Sequence, residues 1–250
     1  MSSRIITYEK FRQITNPLSI MPHQGFGDHI ICNGLVRKLN EKNLSQYGEQ
    51  KLFLLCKETK CDLVSFMYRD NLNIIIVSFK DEIEQKIAHQ QKPNKLCLKL
   101  GFWNNSAYQN NYNSFDVGFY GQADLAFESR FSNFYVKRDI DKELEIMQRY
   151  NLNKDAEYIF VHEDPSRGFF ANRQRIRKDL LIIENNKEDN FFNYRTLFEN
   201  AKEMHLMPSG IYDFVNSLDN LRGKIFLHRY MRSLDPFLVA KTKHHINHLF

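Results

Sequence analysis

The chain lacks any apolar run near the roughly 20 residues that a bilayer-spanning helix needs. Its opening, Met1-Ser-Ser-Arg-Ile-Ile-Thr-Tyr-Glu-Lys10, holds no signal-peptide apolar stretch. No membrane span is therefore expected, and a cytoplasmic protein is the default. The four cysteines, Cys32, Cys56, Cys61 and Cys97, show no Cys-x-x-Cys spacing, and no Cys/His pattern suits zinc, so no metal ligands are assigned. Three of them fall in or beside apolar runs and read as buried thiols of a reducing compartment. Also missing are a Gly-x-Ser-x-Gly elbow and a His-Glu-x-x-His helix. The Gly-Lys-Ser/Thr ending of a P-loop is absent, which disfavours nucleoside triphosphate hydrolysis. So is an Asp-x-Asp strand end of the kind that holds a divalent metal against a diphosphate. No heptad, short repeat or low-complexity tract occurs.

What is present is a globular composition. Hydrophobic residues make up 42% and charged residues 26% of the 250, enough for one large domain or two small ones with a substantial core. Aromatics reach 14%, which favours many strands and aromatic-lined clefts. The net charge of +5 is spread along the chain with acids between the basic residues, so no nucleic-acid partner is expected. The excess does suit an anionic ligand such as a phosphate or nucleotide-sugar.

Alternating strand and helix patterns fill most of the chain. A short apolar strand from Leu18 leads through Gly25-Phe-Gly-Asp28 into an amphipathic helix reaching Leu39. Lys51–Cys56 is a strand, Thr59–Tyr68 a helix, Asn73–Ser78 a strand and Asp81–His89 a helix. From Leu98 to Tyr120 the chain is rich in Asn, Tyr, Phe and Gly. This stretch reads either as a loop over a cleft, with Tyr108, Tyr112 and Tyr120 offered to a polar ligand, or as a surface excursion packed back on the domain. Asp116–Phe131 and Lys137–Arg149 read as helices. A second series then begins: strand Tyr158–His162, strand Leu180–Ile183, helix Tyr194–Ala201, strand Met204–Leu206, a helix from Pro208-Ser-Gly210 through Leu218, and Lys224–His228 as the last strand. The tail carries His244, His245 and His248 and reads as a helix surface. The pattern implies two α/β domains, 1–150 and 151–250, each built on a mostly parallel sheet.

Three groups of polar residues fall where strands end. In the first, Gly25 and Gly27 let the backbone turn tightly, and Asp28 stands at the start of the helix as a candidate active-site base. The same turn also reads as a well-capped strand-to-helix connection, and Ile30 denies it the third glycine of a dinucleotide fingerprint. The second group is His162-Glu-Asp-Pro-Ser-Arg167. Arg167 offers a fork that matches phosphate, or a surface ion pair with Glu163 or Asp164. The third is Ser209-Gly210, a helix start whose free N–H groups suit an anion, Ser209 being also an ordinary N-cap. His228, after the last strand, adds a polar group at that edge or is a satisfied buried histidine.

Two α/β halves, a Gly-x-Gly-Asp turn after the first strand and a C-terminal Ser-Gly helix start together resemble a GT-B glycosyltransferase. The opening motif is similar to that of the ADP-heptose:lipopolysaccharide heptosyltransferase group. The resemblance implies two Rossmann-like halves facing each other across a cleft, an acceptor-side N-terminal domain and a nucleotide-sugar-binding C-terminal domain. It makes Asp28 the catalytic base and gives Gly25, Gly27, His162, Arg167, Ser209, Gly210 and His228 to the substrates. The implied reaction is inverting, metal-independent transfer of a sugar from a nucleotide-sugar co-substrate to a glycan or other hydroxyl acceptor, with no further cofactor. A non-catalytic nucleotide- or sugar-binding protein is the alternative. The chain is short for a GT-B enzyme, and its C-terminal motifs differ from those of the heptosyltransferases.

Overall fold

The structure, a computed structural model, describes residues 4–15, 17–23, 25–48, 50–89, 97–102, 112–153, 155–165, 168–229 and 240–250. The chain divides into two compact units, Met1–Lys137 and Arg138–Phe250. Helix Ile140–Arg149, placed ahead of the boundary by the sequence reading, packs within the second unit against Phe191–Tyr194 and Arg195–Asn200. Its buried Ile146 and Met147 form one side, with Asp139 as N-cap accepting from Lys142 N.

The first unit runs β1 (Ile5–Thr7), α1 (Tyr8–Phe11), β2 (Leu18–Met21), α2 (Phe26–Ile31), α3 (Asn33–Tyr47), β3 (Leu52–Lys57), α4 (Cys61–Met67), β4 (Ile74–Phe79), α5 (Glu84–His89), β5 (Cys97–Lys99), α6 (Phe115–Gln122) and α7 (Ser129–Ser132). Its sheet is parallel, in the order β1-β4-β3-β2-β5. The apolar runs of β3 and β4 are continuous rather than alternating because both faces are buried. Met21, Phe53, Leu55, Val77 and Phe79 join Phe11 and Ile87 on one face, while Ile20, Leu54 and Ile76 are buried on the other. From β2 the chain builds β3 and β4 to one side, then returns to lay β5 on the other. Direction thus reverses at the β2/β5 junction, the position where open α/β sheets bind ligands beyond their strand ends.

The single helix expected after Gly-Phe-Gly-Asp is two helices. The Tyr120 hydroxyl donates to Ile31 O (2.9 Å) and accepts from Leu35 N (3.1 Å), bridging the rung that would join α2 to α3. A side chain inserted in the ladder is a standard cause of such a break. Beside it, a Cβ on Gly34 would stand 2.1 Å from Ser129 O, so glycine is what lets α3 and α7 touch. Tyr120 is wholly buried in this role and is no ligand for a cleft. The stretch assigned to a loop supplies β5 and α6 instead, and Tyr108 lies outside the described residues. The helix expected over Asp116–Phe131 is α6 and α7, parted by a turn with Asp124 at φ 52°.

The second unit holds α8 (Ile140–Arg149), β6 (Tyr158–Val161), β7 (Leu181–Glu184), α9 (Arg195–Asn200), β8 (Glu203–Leu206), α10 (Gly210–Ser217), β9 (Lys224–His228) and β10 (Ile246–Leu249). Its parallel sheet has the order β10-β9-β8-β6-β7. Here β7 lies to one side of β6 and β8, β9 and β10 to the other, so the reversal falls between β6 and β8. The aromatics expected to line clefts build the core under α9 and α10. Phe160 meets Phe198 edge-on at 4.9 Å, and Phe214 meets Phe192 at 4.9 Å. The histidine-bearing tail, read as a helix, is the strand β10 beside β9. Ile246 is buried and Asn247 Nδ2 donates to Ile225 O (3.1 Å), a short edge strand whose polar residues hid its extended pattern.

Candidate functional site

In the first unit, β2 ends at Met21 and the chain passes through Pro22 and His23 to Gly25, the N-cap of α2. Asp28 is the third residue of that helix. Its Oδ2 accepts the Gly25 N–H (2.9 Å), while its own N–H donates to Gly25 O (3.2 Å). This reciprocal cap realises the structural reading of the motif, and it leaves the carboxyl side chain 17% exposed. Gly25 has φ −93°, so left-handed freedom is not what it supplies. A Cβ there would stand 3.1 Å from Asp28 Oδ2, so glycine clears room for the carboxylate. Gly27 lies within α2, outside the positive-φ glycines.

Two residues that the sequence reading passed over complete this edge. His23 Nδ1 lies 3.6 Å from Asp28 Oδ2, with 35% of its side chain exposed. Phe102, just beyond β5, meets the His23 ring edge-on at 5.3 Å. Gly101, at φ 77°, turns the chain out of β5 while its N–H donates to Gln122 Oε1 (2.8 Å). His23 sits two residues before Gly25 and was open to notice. Phe102 was not, because only the sheet order brings β5 beside β2. His29, one residue past Asp28, is buried, and burial lowers its pKa to about 4.

In the second unit, His162 follows β6 directly. Its N–H donates to His205 O (2.9 Å), continuing the ladder, and its Nδ1 is 2.9 Å from Asn185 Oδ1 at the exit of β7. An amide oxygen only accepts, so Nδ1 carries the proton and Nε2 is the basic nitrogen. Ser209 leaves β8 on the adjoining strand and caps α10, its Oγ accepting from Tyr212 N (3.4 Å), with Gly210 the first helical residue. His162 and the Ser209-Gly210 helix start therefore stand at neighbouring strand exits, where the order reverses. Asp213 in the first turn of α10 offsets part of the positive end of the helix.

Arg167 and Ser166 lie outside the described residues. Asp164 and Phe169 exchange paired backbone bonds (2.8 and 2.9 Å), and Gly168 has φ 71°. A guanidinium described near this edge is that of Arg173. It pairs with Glu163 (2.9 Å) and Glu184 (2.7 Å), and Glu163 Oε1 also accepts Ala171 N–H (3.0 Å), which pins the segment over the sheet. At His228 the structure shows the satisfied buried histidine of the sequence reading. It is wholly buried, its Nε2 is 3.0 Å from His205 Nδ1, and its Nδ1 accepts Asn172 N–H (3.4 Å).

The two edges thus carry different chemistry. The first unit presents a carboxylate with an imidazole beside it, suited to taking a proton. The second presents helix-start amides, suited to an anionic group, with the buried His162 imidazole at the neighbouring strand exit. Among the described residues no three His, Cys, Asp or Glu side chains gather as a metal ion would require, and no helix is long and apolar enough to cross a membrane. Comparison with family models, curated proteins and solved structures finds no match to this chain.

Proposed function

We propose that the protein is a GT-B-like glycosyltransferase that moves a sugar from a nucleotide-sugar to an acceptor hydroxyl with inversion. The second unit takes the nucleotide diphosphate at the α10 helix start beside His162, with Arg167, outside the described residues, assigned the same task from the sequence. The first unit takes the acceptor. Asp28, with His23 beside it, removes the hydroxyl proton as the oxygen attacks the anomeric carbon and the diphosphate leaves. One observation carries this reading: in each parallel sheet, residues selected for their chemistry lie at the strand exits where the order reverses.

A second reading, a nucleotide- or sugar-binding protein without catalysis, is favoured by the Gly25 N–H that already occupies Asp28 Oδ2. Asp28→Asn separates the two. The amide oxygen can still accept the Gly25 N–H, so the cap survives while the basicity is lost. Stabilisation by nucleoside diphosphates and nucleotide-sugars should match in the two proteins, about 2.7 kcal/mol at a hundred times Kd. Transfer to hydroxyl acceptors should fall by roughly 10²–10⁴-fold. An unchanged rate removes Asp28 as the base. Binding of intact donor with no transfer by the native protein selects the second reading, and no stabilisation by any nucleotide, nucleotide-sugar or free sugar overturns both.

A further inference from the structure

Cys56 is the fifth residue of β3, and Cys61 opens α4 after the short helical turn Glu58–Lys60 folds the chain back. Both thiols reach one carbonyl. Cys56 Sγ is 3.4 Å from Lys57 O and Cys61 Sγ is 3.4 Å from the same oxygen, with Cys61 Sγ also 3.7 Å from Cys56 O. Two sulfurs that share one acceptor atom are brought to the same turn between β3 and α4. The pair is also unequal. The neighbouring Cys56 and, to a smaller extent, Ser78 lower the Cys61 thiol below its ordinary range against the opposing effect of burial, while the Cys56 thiol is pushed up by Cys61 and by burial. Cys61 has the character of an attacking thiolate and Cys56 that of a resolving thiol.

We propose that Cys56 and Cys61 form a redox-active dithiol that a hydroperoxide closes to a disulfide. The Cys61 thiolate sulfur attacks one peroxide oxygen. The O–O bond breaks, the leaving hydroxide takes up the thiol proton as water, and Cys61 becomes a sulfenic acid. The Cys56 sulfur then attacks that sulfur, the S–O bond breaks, and the hydroxyl leaves as a second water with the Cys56 proton. Two thiols are oxidised by two electrons and one hydrogen peroxide is reduced to two waters. The new bond ties the exit of β3 to the first turn of α4, one strand over from the exit of β2. With 1% and 5% of the residues exposed, a small oxidant is the suitable one. The inference is independent of the proposed sugar transfer.

The test uses the full chain and two internal controls, Cys32 between α2 and α3 and Cys97 on β5. Protein treated with hydrogen peroxide is denatured, alkylated with iodoacetamide, digested with trypsin and weighed. Cleavage after Lys57 and Lys60 separates the two cysteines, so a disulfide appears as peptide 52–57 joined to peptide 61–69. The expected result is joint loss of alkylation at Cys56 and Cys61, the linked pair in the mass spectrum, and recovery of both on reduction with dithiothreitol. Cys61→Ser should leave Cys56 alkylatable after the same treatment. If this variant does not fold, the linkage map of the native chain decides alone. Persistence of both thiols while Cys97 oxidises, or linkage of either to Cys32 or Cys97, overturns the proposal.

Discussion

Lowering the pH from 7 to 5 should weaken the second unit through the His205–His228 pair. The two rings are 1% and 0% exposed and share one bond, Nδ1 of His205 to Nε2 of His228 at 3.0 Å. The Asn172 N–H donates to His228 Nδ1, so the His228 proton sits on Nε2 and points at His205 Nδ1. A proton added at either Nδ1 would face another donor. Burial is the main reason that both rings are held down to about 4, with Arg173 adding repulsion at each, His205 adding it at His228, and Glu163 opposing at His228. Glu203 Oε2, 3.5 Å from His205 Nε2, is a further charge on this face, and its other oxygen is 3.6 Å from Arg177. The unfolded chain takes up protons below 6.5 and the folded one only near 4. The contribution is therefore complete above 6.5 and is lost as pH falls toward 4. From pH 7 to pH 5 the linkage relation gives a loss of about 2 kcal/mol per ring, or about 4 kcal/mol for the pair. Hydrogen exchange of the β8 and β9 amides, corrected for intrinsic rate, should show protection falling by about 10³-fold. His228→Gln, which retains a donor for His205, should halve the loss in free energy. A fall in protection below about tenfold would refute the argument from burial and tautomer.

Two further predictions concern the packing that holds α2 and Asp28. Gly34→Ala brings a Cβ against the Ser129 and Arg130 carbonyls at 2.1 and 2.9 Å, so α3 and α7 must part. Despite the helical advantage of alanine, about 1 kcal/mol, calorimetry should show a net loss of about 1–3 kcal/mol, and an unchanged or raised Tm would contradict the close approach. Arg130→Met strands Asp116 in the interior, where both partners are 0% exposed and Ser114 Oγ donates to Asp116 Oδ1 at 2.6 Å. Urea unfolding should register a loss of about 3–5 kcal/mol, largely restored by Asp116→Leu in the same chain. Equal stability of the single and double variants would count against the pair.

The strands with continuous apolar runs were legible in the sequence because burial on both faces demands such runs. Leu52–Lys57, Ile74–Phe79 and Tyr158–Val161 stand within a residue or two of their expected places. The short edge strands were not. Ile5–Thr7, Cys97–Lys99 and Ile246–Leu249 are held by one neighbour each, so three or four residues suffice and no periodicity marks them. The candidate site divides in the same way. Asp28, His162 and Ser209 were found because each follows a recognisable strand. His23 and Phe102 meet only through the β2–β5 pairing, and Glu163 reaches Arg173 only because the segment after β6 folds back. At His228 the sequence left two readings open, since its position at a strand end is that of a ligand while its surroundings are those of the core.

The tyrosine that splits α2 from α3 has a consequence for how this unit could evolve or be engineered. A continuous helix would fix the Asp28 carboxylate to the axis of a long rod, so that any change along α3 would swing it. With the rung between Ile31 and Leu35 handed to a hydroxyl 85 residues downstream, six residues form a short lever with its own bearing. The bearing belongs to α6, which also anchors the exit of β5 through Gln122. One helix therefore registers both banks of the β2/β5 junction, and substitutions on α3 beyond its first turn, past Gly34 and Leu35, can alter the rest of the unit while the aim of the aspartate stays as it is.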